Sequence, residues 1–390
     1  MAKNGQRLLR GGAFLPSPYV PGEVTTDLVG REVHIDRVVD RLLVIKGRGT
    51  LEGRPRIFFG PRGVGKTSLL RTIEAHAKDQ GFVPVWITAG EGTLLGQLDA
   101  QLRPLSASWQ DSTRRLLTDL LDSVTVSIGP VTVQGRSHKA ANQDLFRRVQ
   151  AVLTAAGEGV VAAGGAGLVL LIDEIQSADL TSLSVLAHAW QHLQAEATDV
   201  PLMLLGAGLS HSQDVLTDAA SFAERFRFVR LGNLDEEASA RALVVPAARL
   251  GVEWNRSSLQ AALALAGGYP YFLQLVGDSM WEAYSPRTTA DVIGGKGFAD
   301  AVEDFYQQRD VFFRARWTKA TEAEAQFLKA MADYDADAVP RAEIAQALDK
   351  TSDGIGMSRA SLIDKGLIEE AGHGLVKFTA PGFGAYVRGL

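Results

Sequence analysis

Gly60-Pro61-Arg62-Gly63-Val64-Gly65-Lys66-Thr67, followed by Ser68, is a glycine-rich octet that ends in a lysine and a hydroxyl. Its glycines let backbone N–H groups turn inward on phosphate oxygens, and a helix starting at its end adds positive potential. Lys66 can then reach the β and γ phosphates of a nucleotide, and Thr67 can offer its hydroxyl to Mg2+. Far downstream, the apolar run Leu168-Val169-Leu170-Leu171-Ile172 ends in Asp173-Glu174. A carboxylate at the end of a buried strand suits the Mg2+ shell, the role expected of Asp173. A second carboxylate, Glu174, suits polarisation of an attacking water, which points to hydrolysis of ATP rather than transfer to a substrate hydroxyl. The cofactors implied are ATP or ADP with Mg2+.

The elements needed to position these groups are legible around them. Arg54 to Phe59 reads as a strand before the octet, Lys66 to Lys78 as the helix after it, and Phe82 to Thr88 as the next strand, a βαβ unit. Strand Leu168 to Ile172, helix Leu180 to Ala197, and strands Pro201 to Leu205 and Phe226 to Leu231 continue the alternation. The fold class expected is α/β, a parallel P-loop sheet with helices on both faces. An amphipathic helix is expected over Arg31 to Lys46. Val124 to Val133 alternates around Gly129-Pro130 as a hairpin would, and the glycine-bearing tract Gly157 to Gly167 reads as a flexible link after a helix over Asn142 to Ala156.

The pattern divides the chain into an extended N-terminal arm (1–25), a P-loop ATPase core (26–233), a helical lid (234–295), a connecting helix (296–320) and a C-terminal domain (321–390). In the last, three helices followed by a hairpin describe a winged helix-turn-helix. Its third helix, expected over Ser352 to Lys365, offers Ser352, Ser358, Arg359, Ser361 and Lys365 to duplex DNA. The same domain carries seven basic and eleven acidic residues, which fits a protein-docking role at least as well.

Composition narrows the class. The 390 residues are 46% hydrophobic and 22% charged, enough for more than one core, with no apolar run of membrane-spanning length and no secretory signal. A cytoplasmic protein with no membrane association is expected. The absence of cysteine excludes disulfides and thiolate chemistry, and a net charge of −5 excludes a wholly basic nucleic-acid surface while leaving room for a local patch. His188 and His192 have the spacing of a metal pair on a helix but lack accompanying ligands, so no metal site is expected there.

Leu28-Val29-Gly30-Arg31-Glu32, the octet, Leu171-Ile172-Asp173-Glu174, Gly267-Gly268-Tyr269-Pro270-Tyr271-Phe272-Leu273-Gln274 and the winged-helix pattern together resemble the archaeal-type AAA ATPases, near the STAND NTPases and the origin-recognition/Cdc6-like initiators. The resemblance covers nearly the whole chain from about Thr25. It implies that Val29 and Gly30 line an adenine pocket, with Pro270 packing on the base, and that Arg225 is an arginine finger; the plain reading of Arg225 is a surface arginine paired with Glu224 or Asp218. It implies a sensor strand at Leu202 to Gly206, with Ser210 the nearest polar residue, and it finds no sensor arginine in Gly267 to Gln274. The function implied is an ATPase whose nucleotide state controls a winged helix that engages DNA or a protein, with ATP-dependent homo-oligomers as a further expectation. The alternative is an ATP-bound regulatory switch or scaffold with little turnover.

Overall fold

The computed structural model describes residues 14–25, 28–128, 138–196, 199–295, 297–334 and 336–390. The chain divides into a sheet unit, Glu32–Gly60 and Lys66–Leu231, and a helical unit, Met1–Arg31, Pro61–Gly65 and Gly232–Leu390. The turn of the glycine-rich octet thus groups with the helical unit, and the residues on either side of it with the sheet unit.

The sheet unit runs α1 (Glu32–Arg48), β1 (Arg56–Phe59), α2 (Lys66–Asp79), β2 (Phe82–Thr88), α3 (Leu94–Leu105), α4 (Asp111–Ile128), α5 (His138–Ala162), β3 (Gly167–Asp173), α6 (Leu180–Ala195), β4 (Leu202–Gly208), α7 (Ser212–Ala219) and β5 (Arg227–Arg230). Its strands are parallel and ordered β2-β3-β4-β1-β5. β3 and β4 are buried along their whole length, because helices cover both faces, and this is why they read as unbroken apolar runs. β5 is the edge strand, with Arg227 and Arg230 exposed, a charged margin that discourages further pairing.

Only β4 separates β1 from β3, and it ends in Gly206-Ala207-Gly208. A Cβ on Gly206 would come within 2.8 Å of Ile57 and 2.9 Å of Ile175. The bare end of β4 therefore lets the segment after β3 close down over it. This is a packing reason for a strand end without a polar residue.

Two expectations are overturned here. Val124 to Ile128 is not a hairpin strand but the last part of α4, whose Leu117, Leu121 and Val124 form a buried stripe at helical spacing; the rest of that expected hairpin, 129–133, lies outside the described residues. The Gly157 to Gly167 tract is not a flexible link either. Gly157 and Gly159 sit inside α5, where added Cβ atoms would collide with Val200 and with the Trp109 ring. These glycines are there for close packing, a use that composition cannot distinguish from flexibility.

The helical unit continues with α8 (Glu236–Arg249), β6 (Glu253–Trp254), α9 (Arg256–Ala266), α10 (Pro270–Tyr284), β7 (Val292–Ile293), α11 (Phe298–Trp317), α12 (Glu322–Ala332), β8 (Val339–Pro340), α13 (Arg341–Ala347), α14 (Gly356–Asp364), β9 (Ile368–Gly372), β10 (Leu375–Phe378) and α15 (Phe383–Arg388). β6 pairs with β7, and β8-β10-β9 form a small antiparallel sheet. Residues 14–25, the described part of the N-terminal arm, form neither helix nor strand and are tied down: the Trp281 indole donates to the Leu15 carbonyl at 2.9 Å, and buried Tyr19 donates its hydroxyl to the Leu243 carbonyl while accepting from the Trp254 indole at 2.9 Å. Phe305 and Phe313 are both buried against Phe272. Among the described residues no helix is long and apolar enough to cross a membrane.

Candidate functional site

At the start of α2, Lys66 is buried and its ammonium donates to the Gly60 carbonyl at 3.0 Å. One residue on, the Thr67 hydroxyl donates to Asp173 Oδ2 at 2.8 Å. Thr67 reaches Asp173 because α2 leaves the end of β1 and Asp173 closes β3, with the bare end of β4 between them. The Glu174 amide donates to Asp173 Oδ1 at 3.0 Å, so both carboxylate oxygens are held. Burial pushes the Asp173 carboxyl above its usual range; the Thr67 and Glu174 hydrogen bonds oppose that, Glu174 adds to it, and Lys66 pulls it back down. A cation among these oxygens would favour the ionised form, so the group is suited to hold one.

Glu174 adopts a left-handed backbone conformation, φ 51° and ψ 40°, unusual for a residue with a side chain. Its carboxylate does not point loosely into solvent: Gln176 Nε2 donates to Glu174 Oε2 at 2.6 Å, and Gln176 Oε1 accepts from the Leu209 amide at 2.9 Å. Gln176 therefore anchors Glu174 to the loop after β4, which also carries Ser210. Nothing in the sequence marked Gln176, since a glutamine two residues past an acidic pair has no spacing signature.

The turn of the octet is built within the helical unit. Gly63 and Gly65 have φ of 80° and 86°. A Cβ on Gly63 would come 2.6 Å from the Tyr269 hydroxyl, which donates to the Arg62 carbonyl, and the Tyr271 amide donates to the Gly63 carbonyl at 3.1 Å. Buried Arg31 donates to the Val64 carbonyl at 3.3 Å and to the Gly232 carbonyl. Tyr269 and Arg31 are thus structural partners of the loop.

Val29 and Gly30 precede Arg31 in the chain, and Pro270 follows Tyr269, the residues that bond to that turn. Gly30, at φ 76°, packs so closely on Leu234 and Ala238 that a Cβ would lie 2.8 Å from each. The Leu234 amide donates to the Gly268 carbonyl at 2.8 Å, and Pro270 is the first residue of α10, where a missing N–H costs nothing.

Arg225 is not brought to the octet of its own chain. β5 runs parallel to β1 with Arg227 opposite Arg56, so Arg225 lies where β1 begins, whereas Gly60 follows its end. It lines a cavity of about 340 Å³ with Arg54, Gln191 and Phe222, and makes no ion pair with a described residue, including Glu224 and Asp218. His188 and His192 both stack on Phe146, and no group of three or more metal-binding side chains occurs among the described residues.

The C-terminal residues offered to DNA are dispersed or engaged. The helix expected over Ser352 to Lys365 is shorter, α14, because Asp349 takes a positive φ of 53° and residues up to Ile355 form turns; Ser352 lies outside it, and Ser358 and Ser361 are half-buried. Arg359 pairs with Glu370. Lys365 donates to Glu324 Oε2 at 2.5 Å and to the Lys319 carbonyl at 2.9 Å. Burial works against ionisation of Glu324, but the hydrogen bonds from Lys365, Ser361 and the Thr321 amide prevail and hold its carboxyl down at about 2. In the first turn of α14, Met357 is 89% accessible.

Residues 27–205 match the family described as AAA ATPase domain, and residues 310–387 match one described as a domain of unknown function (DUF8462). No curated protein matches the chain. Among solved structures, the Walker-type ATPase PABY2304 of Pyrococcus abyssi is 17% identical over 93% of this chain and 96% of its own, with a TM-score of 0.58. The Thermotoga maritima RuvB Holliday junction branch migration motor is 16% identical, covering 90% and 92%, with a TM-score of 0.45. Aeropyrum pernix Orc1, solved in complex with DNA, is 15% identical, covering 95% and 97%, with a TM-score of 0.43.

Proposed function

We propose that this chain, whose residues 27–205 match the family described as AAA ATPase domain, binds Mg·ATP and hydrolyses it to ADP and phosphate. The single observation that supports this best is the joining of Thr67, Asp173, Glu174 and Gln176 by hydrogen bonds across the bare end of β4. In this reading the loop Gly60 to Thr67, through the N–H groups of Gly63 to Thr67, and the Lys66 ammonium bind the phosphates, and Ser68 sits in the first turn of the helix behind them. Thr67 and Asp173 hold Mg2+, a hard cation that needs few protein oxygens when phosphates supply the others. Bound Mg2+ neutralises charge on the β and γ phosphates. Glu174, steered by Gln176, accepts the proton of the attacking water. Val29, Gly30 and Pro270 border the base. Arg225 serves a neighbouring subunit's γ-phosphate, which makes hydrolysis depend on an ATP-dependent homo-oligomer.

The C-terminal segment, in which helices α12 to α14 alternate with the small sheet β8-β10-β9, acts as a winged-helix-like output. The engagement of Arg359 and Lys365 in internal ion pairs supports a protein partner over duplex DNA. A second reading, an ATP-bound switch with little turnover, is supported by the Gln176 donor, which occupies a Glu174 oxygen that a water would otherwise use.

Nucleotide binding and phosphate release by wild type, Lys66→Ala and Glu174→Gln test both. Loss of binding in Lys66→Ala and roughly 100-fold slower release in Glu174→Gln support the ATPase reading. Tight binding with equally negligible release from wild type and Glu174→Gln supports the switch. A wild type that binds no nucleotide sinks both.

A further inference from the structure

The five strands of the sheet unit are parallel, so the helices that connect them run back and leave their C-terminal ends at the amino ends of the strands. The C-terminal ends of α1, α2 and α5 meet at a cavity of about 610 Å³ that lies wholly within the sheet unit. Lys46 reaches it from the last turn of α1, Gln80 from just past α2, and Glu158, Val161 and Ala162 from the end of α5; Asp199 comes from the segment before β4. The cavity adjoins the amino end of β3, whereas Asp173 closes the other end of that strand, about 20 Å away. It is a site apart from the acid pair.

Its electrostatics have one sign. The last carbonyls of a helix have no partner within the helix, and the aligned peptide dipoles place partial negative charge there, here from three helices at once. Glu158 and Asp199 add two carboxylates, both exposed, and neither forms an ion pair with a described residue. Lys46 is the single base among the described residues of the lining, and its ammonium donates to the Gln80 carbonyl at 2.9 Å, just past the end of α2. The chain thus already places one alkylammonium at one of these helix ends. Between the charges the lining is apolar, with Val161, Ala162 and Pro201, and a Cβ added to Gly49 or Gly164 at its edge would meet nothing within 4 Å. The volume is that of a small-molecule site rather than of a bare ion, and no group of three metal-binding side chains occurs among the described residues.

We propose that this cavity binds a linear aliphatic polyamine. Glu158 and Asp199 take its ammonium groups in charge-assisted hydrogen bonds, the helix-end carbonyls accept the remaining N–H groups, and the methylene segments lie on Val161, Ala162 and Pro201. Anions are repelled by the same groups, so the site is closed to phosphates. The inference is independent of the nucleotide reading, because it uses the opposite end of β3 and none of the residues assigned to ATP.

The test is calorimetric titration of the full chain with spermidine at about 0.15 M salt, where diffuse surface attraction is screened. Wild type is expected to bind saturably at one site. The double variant Glu158→Gln/Asp199→Asn should weaken binding at least about 10-fold, the size of lost charge-assisted hydrogen bonds, while Glu253→Gln, an exposed acid in the helical unit, should change it less than about twofold. Lys46→Ala should tighten binding, because it frees the Gln80 carbonyl and removes the competing charge. Val161→Lys, which places an ammonium in the cavity at a position 47% exposed, should abolish binding without unfolding the chain in urea. No saturable binding by wild type, equal weakening by Glu253→Gln and the double variant, or unchanged binding in folded Val161→Lys overturns the proposal.

Discussion

Gln176 holds the Glu174 carboxylate at 2.6 Å with its amide nitrogen while its amide oxygen takes the Leu209 N–H, fixing the second acid of the pair to the loop after β4. A carboxylate anchored in this way is oriented before substrate arrives. Gln176→Ala should lower kcat for phosphate release roughly 10-fold with little change in KM, as expected for a positioning residue. Gln176→Glu should be worse at neutral pH and recover at lower pH, because a second carboxylate beside Glu174 raises the pKa of the pair. A KM effect without a kcat effect would show that Gln176 acts on binding instead.

The Thr67 hydroxyl donates to Asp173. If they hold Mg2+, Thr67→Ala should raise the Mg2+ needed for half-maximal phosphate release by roughly tenfold or more, and Asp173→Asn should reduce release at every Mg2+ concentration. A Mg2+ titration of the variants checks this, and superimposable curves would remove Thr67 from the metal shell.

Glu52 and Arg56 form a buried pair at 3.7 Å, in which Glu52 Oε2 and Arg56 Nε lack partners. Burial pushes the Glu52 carboxyl up to about 7 from 4.5, against the attraction of Arg56, Arg41 and Arg227. An acid with a raised folded-state pKa contributes stability that is complete below its unfolded value and is lost as pH rises through about 7. Denaturant unfolding should therefore show Glu52→Gln losing less stability than wild type between pH 5 and 8, by at most about 3 kcal/mol. Parallel stability curves would mean that the pair stays ionised throughout.

Lys365 and Arg359 are predicted to act as internal braces. Glu324 is almost fully buried, so Lys365→Ala should destabilise the chain by about 2 kcal/mol, whereas Arg359→Ala, whose partner Glu370 is largely exposed, should cost less than about 1 kcal/mol. Salt-dependent duplex DNA retention that both variants abolish without any loss of stability would reverse this assignment and favour a DNA partner.

The sequence by itself determined the parts whose chemistry is local. Gly60 to Thr67 is one contiguous turn, the Asp173-Glu174 pair closes a strand that reads as apolar because the sheet buries both its faces, and α11 and α12 follow their periodicity to the residue. Tertiary structure decided what touches these residues. Gly157 and Gly159 pack inside a helix against Val200 and Trp109, and the octet's turn is held by Tyr269, Arg31 and Tyr271. Arg316, near the end of α11, lies over Phe312, which stacks on Tyr271. Such contacts join residues far apart in the chain, so they leave no spacing or periodicity in the sequence; only the packed chain sets which neighbour meets which.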